Sequence, residues 1–338
     1  MFVASPTVRA AVALDNRDGR RIEELEWNRD DDRARLIARF AELRAEGLSC
    51  DVLWIADDEF EHFLPEHISN VRLAAISFFS SPFSAAALRR YMRIIETCDY
   101  ANERRIEKAL IRCLDVAARI HFRTPVMETH AVFDHRGATH WFSLNGALER
   151  GEQTVLPTGE LSVLTDAAGD FSLSTPFALD GELVLRGTPI VHRGNRAVTE
   201  AETASAYQAM STMLEYPVIA RVEAGVVVGL RSPVRRHNPF AEALERLFSI
   251  DERYRKVHEI GFGTNVACAQ LASGNFFPNE RTPGVHFGFG LGGHTPFHID
   301  LACTQIDTQI ELTSGAMVDL YQALRLPRGN NDPVDDNR

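Results

Sequence analysis

Residues 284–300 read GVHFGFGLGGHTPFHID. In His298-Ile299-Asp300 an imidazole and a carboxylate stand two residues apart, and on a β-strand such residues share a face. They can therefore converge on one point. His286 sits on its own short run, Val285–Phe289, and the glycines after it permit a tight return beside His298. Two neutral imidazoles with carboxylates suit zinc, manganese or iron. A single strand histidine is more often a satisfied core or surface residue, so the case rests on what else converges with these.

Two upstream segments supply more acid. LPTGELSVL, residues 156–164, carries Glu160; HEIGFGTN, residues 258–265, carries Glu259. Glycine neighbours let a backbone pass close to a bound group. Glu160, Glu259, His286, His298 and Asp300 together form a ligand set large enough for two divalent ions, which can activate a water and polarise a carbonyl together. No thiolate lies in any of the three segments, which argues against a purely structural zinc site. His294 is either an exposed loop residue or a proton carrier near the reacting group. GFGLGG lacks the helix and the Lys-Ser/Thr of a phosphate loop.

Outward from these motifs, the C-terminal portion is a succession of short β-type runs: Glu128–Asp134, Ala138–Leu144, Gly159–Leu164, Glu182–Leu185, and a hairpin of Val218–Glu223 and Val226–Leu230 around Ala224-Gly225. Phe240–Val257 reads as a helix. The N-terminal portion alternates differently. Val8–Leu14, Asp51–Ala56 and Val71–Phe79 fit strands, Asp30–Gly47 has helical spacing, and Ser84–Phe122 is mostly helical, with Asp99 or Asn102 as a cap. The expectation is an α/β (α+β) protein: a small N-terminal α/β layer over residues 1–125 and a β-rich metal-binding domain over residues 126–338.

The chain has 338 residues, 45% apolar and 25% charged, a globular profile with room for two domains. Its net charge of −11 argues against nucleic-acid binding. The compact basic run Arg231, Arg235, Arg236 and His237 reads as a solvated loop. The five cysteines are odd in number and form no CxxC pair, so neither a zinc-thiolate site nor a disulfide framework is expected. Cys113 and Cys303 read as buried small hydrophobes. No apolar run is long enough for a membrane span, and no signal peptide opens the chain, so a cytoplasmic location is the default.

LPTGELSVL, PVIARVEAGVVVGL (residues 217–230), HEIGFGTN, GVHFGFG and FHIDL come in the order used by the aminopeptidase T family of metalloaminopeptidases, which also contains ring-cleaving dihydroxypyridine dioxygenases. The chain resembles that family over roughly residues 150–315. The resemblance implies metal-ligand roles for Glu160, Glu259, His286, His298 and Asp300, and pairing as a homodimer. It also shows departures. The peptidases have a tyrosine seven residues beyond the first histidine that helps stabilise the reacting carbonyl; here that position is Gly293. The stretch between His286 and His298 is shorter, the N-terminal portion looks reduced, and no family motif precedes residue 150. Loss of an oxyanion stabiliser costs about a hundredfold or more in rate.

Three functions fit. A metal-dependent aminopeptidase would use zinc, cobalt or manganese on a peptide substrate, with Glu160 and His294 in catalytic roles. A mononuclear iron dioxygenase would use His286, His298 and Asp300. A catalytically inactive partner would bind a precursor peptide in a peptide natural-product pathway, keeping the cleft without the turnover.

Overall fold

The computed structural model describes residues 1–338 except 15–18, 20, 29, 58, 139, 166–175, 196, 234–236, 328 and 335–338. Arg235 and Arg236 of the basic run thus lie outside the described residues; Arg231 pairs with Glu182 at 2.8 Å and His237 with Glu242 at 2.9 Å. The chain divides into two compact units. Unit 1 is Met1–Ala101 with Leu144–Thr158, and unit 2 is Asn102–Ser143 with Gly159–Arg338.

In chain order, unit 1 contains β1 (Phe2–Ala4), α1 (Pro6–Ala11), β2 (Glu24–Glu26), α2 (Asp30–Ala45), β3 (Cys50–Ala56), α3 (Pro65–Ile68), β4 (Val71–Ser77) and α4 (Ala85–Thr97). Helix α5 (Tyr100–Asp115) starts directly after Asp99 and leads to β5 (Ala117–Thr124), β6 (Thr129–Asp134) and β7 (His140–Leu144); β8 (Glu152–Val155) then returns to unit 1. The expected boundary near residue 125 falls at the β5–β6 connection, inside one antiparallel pair. The division by contacts comes earlier and is discontinuous, because β8 pairs with β4.

Unit 1 is a parallel sheet in the order β2-β1-β3-β4-β8. Near-continuous apolar runs such as CDVLWIA in β3 suit strands of this kind. Leu36 and Phe40 of α2 pack on Val52, Trp54, Leu73 and Ala75. The expectation of a strand over Val8–Leu14 is corrected: Pro6–Ala11 is a helix with proline in its first turn, where the missing N–H costs nothing. The true strand is the shorter Phe2–Ala4.

The remaining elements are β9 (Glu160–Leu164), β10 (Ala178–Leu185), β11 (Thr188–Arg193), α6 (Glu200–Met210), β12 (Val218–Glu223), β13 (Val226–Arg231), α7 (Pro239–Ile250), β14 (Val257–Gly263), β15 (Gln270–Ala272), β16 (Gly284–Phe289), β17 (Phe297–Cys303), β18 (Asp307–Leu312), β19 (Met317–Asp319), α8 (Leu320–Leu324) and β20 (Asn330–Val334). The expected helix to Val257 stops at Ile250, where a 3-10 turn at Glu252–Arg255 hands over to β14.

Unit 2 has a seven-stranded sheet, β13-β12-β10-β6-β5-β18-β19, and a six-stranded sheet, β11-β17-β16-β14-β9-β7. The β12–β13 hairpin turns at Ala224 and Gly225, both at positive φ, the combination that matches the strands' twist. One core contains Ile120, Phe122, Ala131, Phe133 and Leu183 from the first sheet and Leu161, Val163, Ile260, Phe262, Phe287 and Leu301 from the second. Phe122 meets Phe287 edge to face at 5.2 Å between ring centres. All five cysteines are free thiols; Cys303 is buried and Cys113 half-buried. Among the described residues no helix is long and apolar enough to cross a membrane.

Candidate metal centre

The six-stranded sheet sorts its residues by alternation. Leu161, Val163, Ile260, Phe262, Val285, Phe287, Ile299 and Leu301 enter the core. Glu160, Glu259, His286, His298 and Asp300 take the opposite face. For β14 alternation alone would fail, since Val257 is a core residue and lies two positions before Glu259. A register shift between Val257 and Glu259 solves this: Val257 opposes Phe289 and Glu259 opposes Gly288, so one extra residue re-aims the carboxylate.

Pairing brings the charged residues together and sets glycine between them. Gly288 opposes both Asp300 and Glu259, Gly261 opposes His286, Gly263 opposes Glu160, and His192 of β11 opposes His298. The glycines are space for side chains. A Cβ on Gly288 would lie 2.6 Å from the Glu259 Cβ and 2.9 Å from Asp300 Oδ1; on Gly261 it would lie 2.1 Å from the His286 ring. The 3-10 turn Phe277–Arg281 packs against β11, β14 and β17 and adds Glu280 and Arg281.

The polar groups close a ring in which acids and bases alternate. His286 Nε2 lies 3.4 Å from Glu160 Oε1 and 3.7 Å from Glu259 Oε1. His298 Nε2 lies 3.2 Å from Glu259 Oε2 and 3.0 Å from Asp300 Oδ2. His192 Nε2 lies 3.3 Å from Asp300 Oδ2 and 2.5 Å from Glu280 Oε1. Arg281 closes the circle, with Nη1 2.8 Å from Glu280 Oε2 and also paired with Glu160 Oε2. His298 Nδ1 donates to the Gly290 carbonyl at 2.8 Å, which fixes the ring and leaves Nε2 turned toward the carboxylates.

Burial disfavours every charge here, yet the neighbours override it for most. Against burial, Asp300 and Glu259 hold His298 well above the usual imidazole range, and Glu259, with Asp300 and Glu280, also raises His286. His192 is pushed up to about 9, burial being outweighed by Glu280 and Asp300. Asp300 is drawn well below its ordinary value by His298 and His192, and Glu259 falls to about 2 through His286 and His298, both against burial. Glu280 is raised, chiefly by burial. Four carboxylates face three imidazoles and one guanidinium, and this concentration of negative charge is what raises the proton affinity of the imidazoles.

The donor set fits a divalent ion. Three groups of ligand atoms converge within 4.8 Å: Glu160, Glu259 and His286; Glu259, His298 and Asp300; and His192, Glu280 and Asp300. Among the described residues His286 Nε2 and Asp300 Oδ1 are buried with no hydrogen-bond partner, as atoms waiting for a cation would be.

All five sequence-predicted ligands are thus gathered in one ring. His294 is outside the three groups; it is half-buried in the turn between β16 and β17, its backbone N–H donating to the Leu291 carbonyl at 3.0 Å. His192, Glu280 and Arg281 escaped the sequence reading. The signal for two of them was Asn279-Glu280-Arg281, a charged turn two residues before GVHFGFG; His192 carried none beyond following the apolar Pro189-Ile190-Val191.

A family model described as "Crocagin biosynthetic protein CgnE/B" matches residues 57–311, which include every member of the ring. The chain belongs to this family. Among solved structures, the chain is similar to 2,5-dihydroxypyridine dioxygenase from Pseudomonas putida KT2440, with a TM-score of 0.54 and 16% identity, covering 100% of this chain and 92% of that one. A second match is wild-type AmpT from Thermus thermophilus, with a TM-score of 0.42 and 15% identity over 94% of this chain and 91% of the other. At such identity the dioxygenase likeness shows a shared fold. No curated protein matches the chain.

Proposed function

We propose that this chain is a peptide-binding partner in the biosynthesis of a peptide natural product, built on a metalloenzyme fold whose metal ring it keeps. The observation that carries this reading is the family match, which spans residues 57–311 and so encloses the whole ring. The state of the reacting-carbonyl end supports it. Gly293 offers no side-chain donor, its backbone N–H being given to the Gly194 carbonyl, and nothing among the described residues lies within 4 Å of where its Cβ would be. A fluorescein-labelled synthetic precursor peptide, followed by anisotropy and then by mass spectrometry, tests the proposal. Saturable binding of a peptide that stays intact is the expected result. Loss of residues from its N-terminus would replace the partner reading with a peptidase, and absence of binding would overturn both.

A metal-dependent aminopeptidase is the second reading, favoured by His286 Nε2 and Asp300 Oδ1, buried atoms that make no hydrogen bond among the described residues. Glu160, Glu259, His286, His298 and Asp300 would hold the metal. A divalent ion there supplies an acidic water and polarises a carbonyl. In this reading Glu160 moves the proton at the ring and His294 donates from the β16–β17 turn. Iron in place of zinc, cobalt or manganese would point instead to ring cleavage by dioxygen.

A further inference from the structure

Arg281 is 1% exposed, one of the most deeply buried charged groups in unit 2. Its guanidinium lies 4.4 Å over the Phe277 ring and binds Glu160 and Glu280 through one nitrogen. Arginine keeps its proton throughout the range in which proteins fold. This arc of the ring therefore carries fixed positive charge whatever else is bound.

We propose that Arg281 stands in for a second cation, so that the centre holds one divalent ion, on Glu259, His298 and Asp300 beside His286, and excludes another from the Glu160 end. This inference rests on the metal-binding part of the function proposed above.

The two ends of the ring differ in what they leave open. At the Asp300 end, Oδ1 of Asp300 has no hydrogen-bond partner among the described residues, and the Glu259–His298–Asp300 ligands converge with no arginine among them. At the Glu160 end, Oε2 is held by Arg281 and only Oε1 faces His286. An ion on Oε1 would share one carboxylate with the guanidinium in a dry interior, where like charges are weakly screened. Two dications alone would neutralise four carboxylates; with Arg281 added and the imidazoles neutral, the first dication leaves the buried ring net negative and a second would overshoot to net positive beside a fixed guanidinium. The arginine thus sets the number of ions as well as holding Glu160 and Glu280 in place.

The full chain, stripped of metal and titrated with Zn²⁺ alone, reports the count directly by native mass spectrometry, taking as ring ions those absent from Asp300→Ala. One ion is expected in the wild type and in Arg281→Lys, which keeps the charge, and two in Arg281→Gln. Two ring ions in the wild type overturn the proposal by themselves, a result that stands even where Arg281→Gln fails to fold. A single ion in folded Arg281→Gln at saturating zinc also overturns it. No ring ion in the wild type overturns it together with the metal reading, whereas the peptide-binding assay reports separately on the partner role.

Discussion

Nε2 of His298 is aimed by the hydrogen bond that Nδ1 gives to the Gly290 carbonyl. With the ring held this way, Nε2 meets Asp300 and Glu259 at 3.0 and 3.2 Å. Removing either strand residue should therefore remove metal. His298→Ala and Asp300→Ala are each expected to lower divalent-metal affinity by at least about tenfold, the scale on which even outer-shell losses act. Elemental mass spectrometry on protein purified without a histidine tag measures this, and unchanged stoichiometry in both variants would disqualify the ring. His294→Ala is the control, expected to keep full metal content. At this scale the sequence was informative because HxD on a strand has only one geometric meaning. Glu280 and Arg281 were missed because they sit in an aperiodic turn: its charges stand in the sequence, but no spacing rule encodes its fold-back over the sheet.

Strand β14 shows how an element is bent to serve the site. Its register shift lets Val257 and Glu259 face opposite ways, and Gly288 across from it leaves room for the carboxylates. Gly288→Ala places a methyl group 2.6 Å from the Glu259 Cβ, so Glu259 or its strand must move. The expected outcome is a folded protein, destabilised by about 1–3 kcal/mol as in other overpacked sites, with metal affinity reduced at least about tenfold. Urea unfolding and a zinc titration read the two effects separately; intact affinity would show that the glycine does not shape the site. Elements such as α2, β3, β12 and β13 were legible from periodicity and turn residues. Val8–Leu14 was misread because a six-residue helix is too short to show a helical period, and its apolar residues fit a strand equally well. The β14 shift was equally hidden, since a bulge changes pairing without changing composition.

Across the whole molecule, the division into units was only half legible. The change from α/β to β-rich character is real in sequence, but β8 crosses back to pair with β4, and long-range pairing of this kind leaves no local mark. The ring lies wholly within unit 2, on β9, β11, β14, β16, β17 and the Phe277–Arg281 turn. A ligand that binds only the folded state stabilises it by about 2.7 kcal/mol at a concentration a hundred times its dissociation constant. That stabilisation belongs to the unit that makes the site. Removing metal with a chelator should therefore speed amide hydrogen exchange in β14, β16 and β17 while leaving β1, β3 and β4 at their original rates. Exchange separates the two because it reads local opening strand by strand. Equal acceleration in both units would mean that the metal stabilises the chain as one cooperative body, and no change in either would mean that the ring is self-neutralised by its own histidines and arginine and needs no ion to stay folded.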